Sequence, residues 1–329
     1  MTYKDLSGID LTDQSFYQSD LSDYDLSNSD LSFVDLQMAT LTNANLGYAN
    51  LQNAYLMFAD LSEASLFMAN MRDSRLYEAN LSKTNLENTD LAGAHLPFAI
   101  AVAANFRNAN LSSAYLNGVF MLETVLTGVN LSNSLLVGAR CERANFSDSD
   151  LTNADLSYSN LSFSQFANAN CRGSRFVQAN LRFAELQGAY LYNADLSHAF
   201  LIGVEASKAD FSRADLSFAH LYNADLEGAN LEGANLQGAQ IWNANLSDAN
   251  FKGANLTHAD LKGSDLKRAD FTGANLTGTG LIGTKNLRPG MFDSHGLGDD
   301  ELAHHPDNFF NEVIQIDSDF DPNEIDDWF

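Results

Sequence analysis

The sequence predicts an all-β solenoid, in which short extended segments wind into stacked coils around a buried axis. Three periodic features predict this fold. A large apolar residue recurs every fifth position from Leu6 to Leu281 without insertion or deletion, and Leu or Phe fills 49 of the 56 positions. A small residue stands two positions earlier, Ala in 35 repeats and Ser or Thr in 13. Sixteen of the 21 glycines stand two positions after the large residue.

A period of five fits neither an α-helix nor a continuous strand. Steps of five advance about 140° around a helix, and they alternate between the two faces of a strand. The chain must therefore bend once per repeat to keep every large residue inside. Between bends, strand alternation turns the small and large residues inward and the residue between them outward. The glycines mark the bend, where an unusual φ is required.

The repeated unit Ala-(Asp/Asn)-Leu-x-x resembles the pentapeptide-repeat family. Ala44-Asn45-Leu46 and Ala224-Asp225-Leu226 are two of its many copies, and the resemblance covers about residues 4–283. It implies a right-handed quadrilateral β-helix with four repeats per coil. Carried over to 56 repeats, this gives 14 coils and a rod of roughly 67 Å.

The sequence divides into a β-helix, a cap and a tail. Residues 1–283 form the predicted β-helix, and residues 1–25 its N-terminal capping coil, because polar or bulky residues occupy the small positions there. Residues 284–316 are a predicted C-terminal cap, partly helical, whose apolar face covers the last coil or meets its twin in a dimer. Residues 317–329 are an acidic and aromatic tail that docks on the rod or on a partner. The apolar residues of the cap are Phe309, Phe310, Val313 and Ile314, and those of the tail are Phe320, Ile325, Trp328 and Phe329.

Charge and composition exclude several classes of protein. The 18 basic and 43 acidic residues give a formal net charge of −25, which argues against nucleic acid or an anionic membrane as a direct partner. The sequence contains no long apolar stretch and no signal-peptide pattern, which favours a cytoplasmic protein, and the resemblance implies a bacterial one. The two cysteines, Cys141 and Cys171, occupy large-residue positions and are predicted to be buried free thiols.

One side of the predicted helix carries an unusual number of outward apolar residues. With four repeats per coil, residues twenty positions apart lie above one another in a column along the predicted rod. A contiguous apolar surface of this kind is typical of an interface with another protein, a second copy, or the tail. The candidate interface residues are Phe98, Ile100, Val102, Phe120, Leu122, Val125, Ile202, Tyr222 and Trp242.

The sequence predicts a non-enzymatic interaction or scaffold protein. No catalytic constellation, cofactor motif or convincing metal-ligand spacing occurs, and the predicted partner is a protein of unknown identity, with a homodimer as a further possibility. The resemblance implies an alternative, a DNA mimic that binds DNA gyrase and modulates or protects it. Residues 41–283 carry only 23 acidic against 15 basic side chains, and arginines such as Arg140 and Arg172 interrupt any acidic stripe.

Overall fold

The computed structural model describes residues 4–12 and 14–288. Within these ranges it contains no helix and no strand longer than one residue. The predicted cap residues Phe309, Phe310, Val313 and Ile314 and the predicted tail residues Phe320, Ile325, Trp328 and Phe329 lie outside the described ranges.

The fold is a stack of coils joined by single-residue parallel bridges. Each bridge pairs a residue with the one twenty positions further along, from Asp5 with Asp25 to Asp265 with Lys285. Four pentapeptides therefore complete one coil, and the rod has four sides. The spacing of five left the number of repeats per coil open, and the structure confirms the four that the resemblance implied.

Every repeat uses its backbone donors in the same way. The N–H of Leu46 donates to the carbonyl of Ser65 on the next coil at 2.7 Å, and the N–H of Asn50 donates back to Ser29 at 2.9 Å. The N–H of Ala49 closes a turn onto the carbonyl of Leu46 at 3.1 Å. Neighbouring coils thus satisfy each other's backbone hydrogen-bonding groups, which explains why single-residue bridges are stable.

The ladder leaves one backbone donor per repeat, and the Asp/Asn of the motif accepts it. The side-chain oxygen of Asn45 accepts from the N–H of Gly47 at 3.1 Å, and that of Asp60 accepts from Ser62 at 3.0 Å. Asp and Asn form such bonds to the residue two positions on more readily than other side chains. The motif therefore carries its Asp or Asn for a structural reason, and a carboxylate there indicates no catalytic role.

The corners of the rod are turns with a left-handed residue. The fifth position of the repeat has φ between 51° and 73° at every described corner from Gly8 to Gly283. With the bond from the fourth turn residue back to the first, this is the type II arrangement. Glycine fits it without strain. The many Asn, Asp, Phe and Arg residues that also adopt it show that the stacked coils impose the conformation.

The two inward positions form a continuous core. Every large-position residue from Leu26 to Leu276 is buried, and so is every small-position residue from Ser29 to Ala274. Cys141 and Cys171 are buried and unpaired, as predicted. The first coil differs, because Lys4, Ile9 and Gln14 remain exposed at its small positions. The boundary of the capping coil at residue 25 and those of the cap and the tail stay predictions.

Candidate interaction surface

The candidate interface residues fall into two clusters centred on one side of the rod, and Val125 lies on the adjoining side. The first, here the central patch, consists of Phe98, Ile100, Val102, Phe120, Leu122 and Val125. Ile100, Phe120 and Leu122 are exposed by 42%, 37% and 38%, whereas Val102 and Val125 are half-buried. Ile100 and Phe120 are bridge partners on adjacent coils. Three apolar side chains are thus exposed where the motif normally places Asp, Asn or Ser.

Phe98 and its neighbours form the edge of the central patch. Its ring meets Tyr77 edge to face at 6.0 Å and lies over the corner of the next coil at Gly118. A Cβ at Gly118 would come within 2.6 Å of the Phe98 ring. Glycine at this corner therefore lets the aromatic ring lie flat along the rod.

We expect Gly118→Ala to destabilise the protein more than Gly138→Ala, which occupies the same corner one coil later. The two glycines have φ of 65° and 67°, so each alanine costs about 1–2 kcal/mol in backbone strain. Only Gly118→Ala must also displace a ring, because Gly138 has open space around it. Guanidinium unfolding of both variants checks this. Equal losses would show that the Phe98 ring does not rest on Gly118.

The second cluster, here the capped column, occupies one corner of five successive coils. Its members are Arg182, Ile202, Tyr222, Trp242 and Lys262. The Tyr222 and Trp242 rings lie 4.8 Å apart, and the Lys262 ammonium lies 6.0 Å from the Trp242 ring. Three apolar residues are therefore bounded by a cation at each end.

Aromatic rings on the flat side support the capped column. The Arg182 guanidinium lies 5.0 Å from the Phe200 ring, which stacks on His220 at 5.0 Å. His220 Nδ1 lies 3.1 Å from the Gln240 side-chain oxygen and 3.4 Å from the Tyr222 hydroxyl. Burial lowers the pKa of His220 below its usual 6.5, although the Gln240 contact opposes this. His220 is therefore neutral at pH 7, and Arg182 and Lys262 supply the positive charge.

Both clusters lack the side-chain acceptor that the motif provides elsewhere. Ile100, Phe120, Phe200, His220 and Gln240 stand where Asp or Asn normally accepts the N–H two positions on. Among the described residues, the backbone N–H groups of Val102, Leu122, Ile202, Tyr222 and Trp242 consequently have no hydrogen-bond acceptor. The same substitutions that make the surface apolar also leave its backbone donors available to an occupant.

The opposite side of the rod is polar and internally bonded. Asn50 donates to Asp30 and Asn70 donates to Asn50, each at 2.9 Å, and the pattern restarts at Asp90 with Asn110. The series of side-chain bonds is interrupted before Asp90 because its carboxylate cannot donate a hydrogen bond to Asn70 on the preceding coil. These amides satisfy one another, so this side is a poorer candidate for binding.

A minority of the charged side chains on the rod form ion pairs at its surface. Six such pairs occur among the described residues, including Lys83 with Glu63 at 3.1 Å and Arg175 with Asp155 at 3.6 Å. Exposed pairs of this kind contribute little to stability. In the part of the chain that the structure describes, no group of three acidic, His or Cys residues has the geometry to hold a metal ion.

Comparison with known proteins assigns the family. The model for pentapeptide repeats matches nine stretches that together cover most of residues 5–281. The chain belongs to the pentapeptide repeat family. Members of this family form a right-handed quadrilateral β-helix, and the twenty-residue bridging gives this chain its four sides.

Solved structures of this family are similar to this pentapeptide repeat protein. HetL of the cyanobacterium Nostoc, described as involved in heterocyst differentiation regulation, is 29% identical, covering 86% of this chain and 89% of HetL, with a TM-score of 0.26. QnrB1, a plasmid-mediated fluoroquinolone resistance protein, is 21% identical, covering 57% of this chain and 91% of QnrB1, with a TM-score of 0.41. No curated protein matches the chain.

Sequence reasoning found the apolar residues of both clusters but missed their cations. Arg140 lies 5.2 Å from the Phe120 ring. Arg182 lies 5.0 Å from the Phe200 ring, and Lys262 lies 6.0 Å from the Trp242 ring. A spacing of 18 or 20 residues between a basic and an aromatic residue was the available signal. No helix in the described part of this pentapeptide repeat protein is long and apolar enough to span a bilayer.

Proposed function

We propose that this pentapeptide repeat protein is a non-enzymatic scaffold that binds another protein through the central patch. The observation that supports this is the contiguous exposure of Ile100, Phe120 and Leu122 where the repeat otherwise places polar residues. Contiguous apolar patches on soluble proteins are typical of interaction sites. Arg140 above Phe120 indicates a partner surface with an apolar centre and an acidic rim. We place this interaction in the cytoplasm, with neither nucleic acid nor membrane as the direct partner.

The test replaces the three exposed apolar residues of the patch. The triple variant Ile100→Ser, Phe120→Ser and Leu122→Ser should weaken binding about 100-fold or more, because buried apolar anchors carry most of an interface's affinity. Sedimentation velocity measures self-association, and titration with purified proteins that bind the parent measures partner affinity. Circular dichroism verifies that the fold is kept.

A matched control removes comparable apolar side chains from other corners. Phe33 and Tyr48 are exposed by 63% and 56% and lie outside both clusters. The variant Phe33→Ser with Tyr48→Ser should bind and assemble like the parent. If the triple variant also does so, the central patch is not an interface.

Gyrase binding by DNA mimicry is the second candidate, favoured by the net charge of −25. The charge density of the rod argues for the first candidate. Residues 41–283 carry 23 acidic and 15 basic side chains. Over their ~58 Å of rod this is about one net charge per 7 Å, against one per ~1.7 Å of duplex DNA. A mimic should inhibit or protect gyrase supercoiling at low micromolar concentration and lose effect as salt rises.

A further inference from the structure

The capped column has a charge pattern that selects its occupant. Its apolar rungs, Ile202, Tyr222 and Trp242, lie between Arg182 and Lys262, four coils or ~19 Å apart. Three backbone N–H groups along the same rungs have no acceptor among the described residues. An occupant must therefore bring apolar side chains, negative charge that reaches both cations, and hydrogen-bond acceptors along its length.

A second copy of the column cannot satisfy this pattern. In an antiparallel pairing Arg182 would face Lys262 of the other copy, and in a parallel pairing each cation would face itself. Like charges brought together at an interface disfavour association. The column also offers donors and no complementary acceptors, so two copies would leave the same N–H groups unpaired.

Residues 317–329 of this chain combine acidic and apolar side chains. Asp319 and Asp321 flank Phe320, Asp326 and Asp327 precede Trp328 and Phe329, and Pro322, Asn323, Glu324 and Ile325 lie between the two acidic pairs. The centres of the two pairs are about 6.5 residues apart, or ~21 Å in an extended chain, close to the ~19 Å between the two cations. An extended backbone would also present carbonyl oxygens to the free N–H groups.

We propose that residues 317–329 dock on the capped column of the same chain, with one acidic pair at Arg182 and the other at Lys262. Residues 289–316 connect the last described residue to this segment, and 28 residues can span up to ~90 Å. The far end of the column lies only five coils, ~24 Å, from the last coil. A tether of this length gives an effective concentration near the millimolar range, which favours the intramolecular site.

The flanking acidic residues limit the direction of approach. Glu185, Glu205 and Asp225 form the bridge column of the adjoining side, and Asp260 accepts the backbone N–H of Lys262. The segment therefore lies toward Phe200 and His220, where no carboxylate intervenes among the rungs between Arg182 and Gln240. The docking is independent of the central patch, whose nearest member, Leu122, lies three coils from Arg182, so either proposal can fail without the other.

The test uses the two tryptophans of the chain. In full-length protein carrying Trp328→Phe, Trp242 is the only tryptophan, and acrylamide quenching reports its exposure. Replacing Asp319, Asp321, Asp326 and Asp327 with Asn should release the segment and raise the quenching constant about two-fold. Arg182→Gln, three coils from Trp242, should do the same. Raising NaCl to 0.5 M should shift the parent toward the variants, because the paired charges are exposed.

The matched control makes the same change of charge outside the segment. Replacing Asp299, Asp300, Glu301 and Asp307 with their amides should leave the quenching of Trp242 unchanged. The proposal is overturned if the tail variant quenches like its parent. It is also overturned if protection of Trp242 depends on protein concentration, since the occupant would then be the segment of a second molecule.

Discussion

Replacing Phe146 with alanine should lower the free energy of unfolding by about 3–5 kcal/mol, the usual cost of truncating a fully buried Phe. Phe146 has no exposed surface and stacks on Phe166 at 4.7 Å, which in turn meets Phe176 edge to face at 6.1 Å. The stack lies within a rod whose coils touch only their neighbours, so adjacent side chains can relax only along the axis. The cavity should therefore persist.

Hydrogen exchange resolved by segment is the appropriate measurement for this variant. Long repeat arrays do not always unfold in one step, so a single midpoint can hide a local effect. The loss of protection should be centred on the coils that contain Phe146 and Phe166 and decline with distance along the rod. A uniform loss over residues 14–288 would show that the rod unfolds as a single cooperative unit instead.

Phe163 provides the matched control for Phe146. It is also a phenylalanine in a stacked pair, with its ring 5.2 Å from Phe183, but 52% of it is exposed at a corner. Phe163→Ala should cost less than about 1 kcal/mol, because exposed substitutions remove little buried surface. Similar losses for the two variants would contradict the assignment of the large position to the core.

The fold was predictable because each pentapeptide carries the same small, polar and large residues in the same order. Leu46 must be inward, Ala44 must be small beside it, and Asn45 must accept the N–H of Gly47, so one pentapeptide already specifies its own bend. The number of repeats per coil does not follow from that unit. That number depends on the angle of each corner, which is set by bonds between coils such as the bridge from Asp5 to Asp25. Only the resemblance supplied the number of repeats per coil.

The candidate surface was predictable as a column of residues but not as a set of contacts. The twenty-residue spacing places Tyr222 and Trp242 on successive coils, and in the structure their rings lie 4.8 Å apart at an angle of 59°. It could not place the Arg182 guanidinium over Phe200, 18 residues further on, because that contact depends on the conformation of a long side chain that crosses from the corner to the flat side. Local spacing fixes backbone position, whereas such cation contacts are decided by side-chain conformation.

The polar and the apolar side of the rod differ in the residue that stands immediately before the large residue of the repeat. Where Asp or Asn stands before the large residue, as at Asp30 and Asn50, the side chain bonds its own backbone and its neighbour on the next coil. Where Ile100 or Phe120 replaces it, both bonds are lost and an apolar surface appears. Replacing Asp and Asn at this position therefore exposes an apolar surface without disturbing the core beneath it, because Ala101 and Met121 stay buried.

Both cysteines should be protected from thiol reagents in the native protein by a factor of at least about a thousand relative to an exposed cysteine. Burial raises the pKa of both thiols far above the usual 9, so the reactive thiolate is scarce, and no reagent reaches the sulfur without opening the coil. Timed labelling at pH 8 with mass spectrometry measures this, and Ser113→Cys at an exposed corner provides the fast reference. Both native thiols should react within minutes in guanidinium.

Because Cys141 and Cys171 lie on opposite sides of the rod, rapid labelling of one alone would locate an open coil and contradict a continuous core there.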